Sequence, residues 1–159
     1  KKEAKQVLKK VKVNDKIVKD EKFPLLLFDK LEIGNEIYQI IINENKKFEA
    51  KKVKGLETKT VKIIDKKILK KGKIQINLND GRNIITKDKF NTGDSLVINL
   101  KGKNIEKVLH MQAGAEVYIL GGKHIGKQGK IAKIDEKNNL AELAGKEKIN
   151  VKLNNLIAI

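Results

Sequence analysis

Between residues 33 and 112 the chain rarely runs more than eight residues without a turn signal. The runs IGNEIYQIIIN, KFEAKKV, KTVKIID, GKIQINL, RNIIT, DSLVINL and NIEKVLHM are rich in β-branched residues. They are separated by clusters such as Asn79-Asp80-Gly81 and Thr92-Gly93-Asp94. Segments this short and this closely punctuated leave no room for a helix, so the pattern predicts a small barrel or sandwich of short strands. Ile74, Ile76 and Leu78, and again Leu96, Ile98 and Leu100, alternate with polar residues and supply its inward face. The same alternation returns after residue 113 with Val117 and Ile119, with Ile131 and Ile134 shortly after, and with Ile149, Val151 and Leu153. Four or five strands in so few residues describe a second, SH3-like barrel.

The N-terminal stretch differs. In KKEAKQVLKK the residues Ala4, Val7, Leu8 and Val11 fall at helical spacing with lysines on the other face. VKVNDKIVKD follows, two short runs around Asn14-Asp15, which predicts a tight hairpin. The expectation is a mainly β protein with a short N-terminal helix. Its three parts are a helix plus hairpin over residues 1–33, a central β-barrel-like domain over 34–112, and an SH3-like barrel over 113–159. The chain opens in mid-pattern, which leads us to expect further sequence before it.

Charge narrows the function. The 159 residues carry a formal net charge of +16, a field that favours polyanions or an anionic surface. No run is long and apolar enough for a helix to cross a bilayer; FPLLLF is the longest and contains Pro24. Aromatic residues make up only 4%, too few for a base-stacking platform, and Arg82 is the only arginine. Lysine acts as a point charge suited to phosphate, whereas arginine adds bidentate base recognition, so contact with backbone and shape is expected. Residues 46 to 73 hold twelve lysines against Glu49, Glu57 and Asp65. That concentration favours a docking surface over general solubility.

One motif tests an enzymatic reading. GGKHIGK, residues 121–127, fits the G-x-x-x-x-G-K core of a phosphate-binding loop. Such a loop needs a Ser or Thr after the lysine for magnesium and a helix that begins there. Here Lys127 is followed by Gln128, then Gly129, then a β-patterned run, so the nucleotide-hydrolase reading fails. The alternative uses Gly122, Gly126 and Gly129 to bend a loop or admit a close neighbour, with Lys123, Lys127 and Lys130 projecting beside free amides. An ordinary hairpin loop would read the same way locally. His110 and His124 form no metal-ligating pair, and with no cysteine the chain has no thiol nucleophile or thiolate site. His110 reads as structural, whereas His124 sits in the basic loop. Tyr38 and Tyr118 read as packing residues. Neither catalytic residues, a metal, a cofactor nor a small-molecule substrate is expected.

GAEVYILGGKHIGKQGKIAKIDEKNNLAEL resembles the KOW motif of ribosomal proteins and transcription elongation factors. AKQVLKKVKVNDKIVKD is similar to the closing half of the RNA-binding domain named for bacterial small-subunit ribosomal protein four. Both occur, flanking a β-rich domain, in the archaeal and eukaryotic small-subunit ribosomal protein four ("S-four-e") family, and the resemblance runs in order through the whole sequence. It implies a cytoplasmic, ribosome-bound structural component whose partners are small-subunit rRNA and neighbouring ribosomal proteins, with no membrane. The expected RNA contacts are Lys5, Lys9, Lys12 and Lys16 on the helix–hairpin face, Lys51, Lys52 and Lys54 in the central domain, and Lys123, His124, Lys127 and Lys130 in the KOW loop. A KOW-type transcription elongation factor associated with RNA polymerase is the alternative. An RNA-modifying enzyme would need a catalytic Asp in a pocket, for which the sequence has no signature.

Overall fold

A computed structural model describes residues 11–145 and 149–159. Among these the chain is mainly β, with helical geometry limited to two 3-10 turns. The helix expected over residues 1–10 lies outside the described residues.

Three five-stranded antiparallel sheets follow one another along the chain. The first comprises β1 (Val11–Val13), β2 (Lys16–Ile17), β3 (Lys30–Ile33), β4 (Glu36–Ile42) and β5 (Phe48–Lys52), in the order β2-β1-β3-β4-β5. Asn14 and Asp15 both take positive φ, 49° and 63°, which matches the twist of a two-residue hairpin. The line expected between 33 and 34 falls at the turn joining β3 to β4, inside this sheet.

The second sheet holds β6 (Thr58–Ile68), β7 (Ile74–Leu78), β8 (Asn83–Thr86), β9 (Ser95–Asn99) and β10 (Ile105–Leu109), in the order β10-β9-β6-β7-β8. The eleven-residue β6 pairs with β9 along its first half and with β7 along its second. A register shift between Ile63 and Asp65 marks the changeover, where a bulge lets one strand serve two directions. The sheet is a half-barrel, its edge strands β8 and β10 not paired with each other. The alternation seen in the sequence points inward: Val61, Ile63, Ile76, Leu78, Leu96 and Ile98 form the core with Phe90. Each such residue, fully buried, contributes roughly 1.5–3 kcal/mol.

The third sheet contains β11 (Glu116–Ile119), β12 (Gln128–Asp135), β13 (Leu140–Ala144), β14 (Ile149–Lys152) and β15 (Leu156–Ala158), in the order β14-β13-β12-β11-β15. A 3-10 turn at Leu153–Asn155 carries the chain from β14 at one edge of the sheet to β15 at the other. Ile131 and Ile134 are three apart and would face opposite sides of a regular strand. A register shift between Ile131 and Lys133 restores both to the core of Val117, Ile119, Leu143 and Leu156.

The sheets are joined by side chains that alternate out of their own cores. Tyr118 and Ile157 point away from the third core and meet Phe28, whose ring lies edge-on to Tyr118 at 5.5 Å and 76°. The Tyr118 hydroxyl donates to the carbonyl of Ile42 in the first sheet. Ser95 Oγ, at the start of β9, accepts the Ala158 N–H at 3.0 Å.

Candidate nucleic-acid interface

The loop between β11 and β12 is a bent hairpin. Gly126 N–H donates to the Ile119 carbonyl and Ile119 N–H to that of Lys127, both at 2.9 Å. Gly122 and Gly126 hold φ of 88° and 85°, conformations that glycine adopts without the penalty a Cβ imposes. Lys127 leads into a strand, so no helix N-terminus points its amides at a phosphate. The amides of Gly126 and Lys127 are both hydrogen-bonded within the loop and are not free for sugar-phosphate, as the sequence had suggested. Gly129 does another task. It lies in β12 opposite Val117, without positive φ, where a Cβ would come within 3.2 Å of Leu143 Cδ1.

Lys123, Lys127 and Lys130 are exposed and His124 is half-buried. Among the described residues no carboxylate pairs with any of these three lysines, so their charge is available to a polyanion. The hairpin face is more mixed. Lys16 is exposed on β2, whereas Lys12 pairs with Glu32 at 3.7 Å. Lys5 and Lys9 lie outside the described residues.

In the central stretch the structure divides what the sequence grouped. Lys51 and Lys52 are neighbours on β5 and therefore project to opposite faces. Lys51 lines a cleft of about 650 Å³ with Gln39, Thr60 and Gln128. Lys52 is engaged by Glu36, which also accepts the Tyr38 hydroxyl at 2.5 Å. The Lys52 hydrogen bond is the main reason the Glu36 carboxyl is held below its ordinary value. Lys54 is exposed beyond the strand's end.

The sequence reading missed that three lysines are buried and structural. Lys59, 2% exposed, bridges Asp29 at 2.7 Å and Asp80 at 3.2 Å, tying the first sheet to the second. Arg82 completes the cluster through Asp80 at 2.7 Å. Burial works to raise the Asp80 carboxyl, but the Arg82 hydrogen bond and the Lys59 charge outweigh it and hold the group low. Lys62, 6% exposed, donates to the carbonyls of Leu156 at 2.6 Å, Leu153 at 2.8 Å and Asn154 at 3.2 Å. It clamps the second sheet onto the 3-10 turn and last strand of the third, and burial pushes its ammonium down to about 8. Lys30 contacts Glu32 at 2.5 Å and Asp15 at 3.0 Å. There desolvation lowers the ammonium, but the two carboxylates prevail and its pKa is raised. Lys59 left a sequence signal, because it shares the two-residue phase of Val61 and Ile63. Lys62 left none, since its partners belong to another sheet.

His110 Nδ1 lies 3.0 Å from Asp94 Oδ2, and Asp94 also accepts the Met111 N–H at 3.1 Å, fastening β10 to the turn before β9. No group of three His, Cys, Asp or Glu among the described residues could hold a metal ion.

Three linked antiparallel sheets, joined through buried lysines and edged with unpaired ones, define a β-sheet protein of the basic, KOW-bearing class. The profile of Ribosomal family S4e matches residues 34–105, and that of the KOW motif matches residues 113–143. The fold is similar to the crystal structure of the 30S ribosomal protein S4e from Thermoplasma acidophilum. The TM-score is 0.90 at 30% identity, over 99% of this chain and 85% of that one. Small ribosomal subunit protein eS4 of Methanocaldococcus jannaschii is 34% identical over 85% of this chain. Its counterpart in Archaeoglobus fulgidus is 36% identical over 75%. The chain belongs to the S4e family and carries a C-terminal KOW motif. It spans 61% of the length of the first relative and 52% of the second.

Proposed function

We propose that this chain is a structural constituent of the small ribosomal subunit that binds rRNA through lysine-rich surfaces. It would act in the cytoplasm beside neighbouring ribosomal proteins, and the third sheet would serve as its SH3-like barrel. The observation that carries this reading is the exposed set of Lys123 and Lys127 on a KOW loop held by its own hydrogen bonds and Lys130 on the strand that follows, none with a carboxylate partner among the described residues. Lysines without carboxylate partners gain by neutralising phosphates and releasing condensed counterions. A loop fixed in advance loses little entropy when it does so. Lys51 adds exposed charge in the cleft beside the loop, and Lys16 and Lys54 add it elsewhere, which suits contact with a folded RNA at several points. Lys12 and Lys52 contribute less, since each is already matched by a carboxylate.

The test is salt-dependent binding of the chain to small-subunit rRNA. Replacing Lys123, Lys127 and Lys130 together by Gln should lower the slope of log K against log salt by about 2–3, roughly one counterion per contact. An unchanged slope with a correctly folded variant removes the loop from the interface. Sedimentation with RNA polymerase instead of small subunits would overturn the ribosomal assignment.

A further inference from the structure

The KOW loop does not stand free of the rest of the chain. Gly126 lies so close to the β4–β5 turn that a Cβ on it would sit 2.3 Å from the Asn43 carbonyl oxygen and 2.8 Å from that of Ile42. The same Asn43 carbonyl accepts the Lys46 N–H at 2.9 Å, and Asn43 N–H donates to the Lys47 carbonyl at 2.9 Å. One peptide oxygen therefore joins the loop that carries Lys123 and Lys127 to the turn that carries Lys46 and Lys47. Tyr118, two residues before the loop begins, reinforces the contact through its hydroxyl on the Ile42 carbonyl. All four lysines are exposed, and among the described residues none has a carboxylate partner. Glu44 and Glu49 also lie near the turn and keep their charge, Glu49 accepting from the neutral Asn43 amide at 3.2 Å, but neither forms an ion pair with these four lysines. Lys46 also holds φ of 62°, a left-handed conformation that glycine would adopt with less strain.

We infer that the β4–β5 turn and the KOW loop form one bipartite seat for a single continuous stretch of RNA backbone. The stretch crosses the seam at Gly126 and Asn43, with Lys46 and Lys47 on one bank and Lys123 and Lys127 on the other. This rests on the RNA-binding reading above and adds to it a definite path. The glycine contact fixes the spacing of the two banks before RNA arrives, so a strand that meets one bank is already aligned with the other. The cleft that opens beside the seam, lined by Gln39, Thr60 and Gln128, leaves room for an unpaired nucleotide next to the held backbone.

The experiment uses the absence of cysteine in this chain, which makes any introduced thiol a unique attachment point. Lys46→Cys, Lys123→Cys and, as a remote control on β10, Lys107→Cys are each charged with a tethered iron chelate. Each variant is bound to in vitro transcribed small-subunit rRNA, and hydroxyl radicals are generated. Positions 46 and 123 should cut overlapping windows of one rRNA segment, with position 107 cutting elsewhere. Cleavage of two unconnected segments would overturn the shared seat while leaving RNA binding intact. So would RNA bound with no cleavage from either position, the result expected if an acidic protein occupies the seam. Failure of the unlabelled chain to bind rRNA at all would instead remove the reading beneath it. Lys46→Gly supplies a second arm, because glycine keeps the turn. Affinity should fall by about threefold to tenfold in dilute salt with no drop in melting temperature. Unchanged affinity would mean that the turn is only structural.

Discussion

Lys62→Met isolates the clamp between the second and third sheets. Methionine matches the aliphatic stem of lysine, so packing is largely kept while the ammonium and its three carbonyl contacts are lost. Charge-assisted hydrogen bonds contribute about 1.5–3 kcal/mol each. Burial opposes them: a shift from 10.5 to about 8 corresponds to roughly 3 kcal/mol of desolvation at 1.36 kcal/mol per pH unit. The balance predicts that Lys62→Met loses roughly 1.5–6 kcal/mol near neutral pH, read by chemical denaturation. The pH dependence carries a sign. Lys62 has a lower pKa folded than unfolded, so between pH 8 and 10.5 the folded chain holds fewer protons and the parent protein gains stability as pH rises. The variant lacks that gain, and every other lysine cancels in the comparison. The stability gap should widen from pH 8 to 10.5. A gap that stays constant or closes, or a variant as stable as the parent, would refute the clamp.

Lys59→Met should be costlier than most single changes, about 3–5 kcal/mol by thermal denaturation, because it strands the buried Asp29 without its cation and leaves Asp80 with Arg82 alone. Asp80→Asn should flatten the acid limb of the stability curve. Its carboxyl is held low in the folded state, so the stability it contributes is present above the ordinary value of 3.8 and is lost as pH falls through the lowered one. Gly126→Ala should lower the melting temperature more than Gly122→Ala does. Both positions have positive φ, and each substitution costs about 1–2 kcal/mol in strain, but only at 126 would the new methyl meet a backbone carbonyl at 2.3 Å.

Two-residue alternation predicted the faces of β7, β9, β11 and β14 because each strand buries one side in its own sheet's core. Asn14-Asp15 announced its hairpin through residues that tolerate left-handed backbone. The nucleotide-loop reading could be rejected on Gln128 alone, and the KOW resemblance rested on contiguous residues. What escaped was whatever depended on contact between sheets. Twelve lysines in 46–73 read as one docking surface, yet Lys59 and Lys62 are buried, and Lys51 and Lys52 face opposite ways. The glycine at 126 was legible as a point of close approach. Its neighbour, however, is the chain's own Asn43, and no local pattern encodes a contact across so many residues. The barrel-like character of the central stretch was legible, but the bulge after Ile63 that redirects β6 was not, since it has the same composition as the regular strand around it.

The last strand has a double attachment. Leu156 and Ala158 fill the third core, while Ile157, between them, fills the junction with Phe28 and Tyr118. In a chain made from its N-terminus, the first two sheets and the Tyr118 contact with Ile42 can form before this strand is synthesised, but the third core and the Ile157 part of the junction cannot close without it. Closure of the third core is thereby timed by translation itself: a reading frame that stops before residue 156 would leave Lys62 without the Leu156 carbonyl and Ser95 without the Ala158 amide.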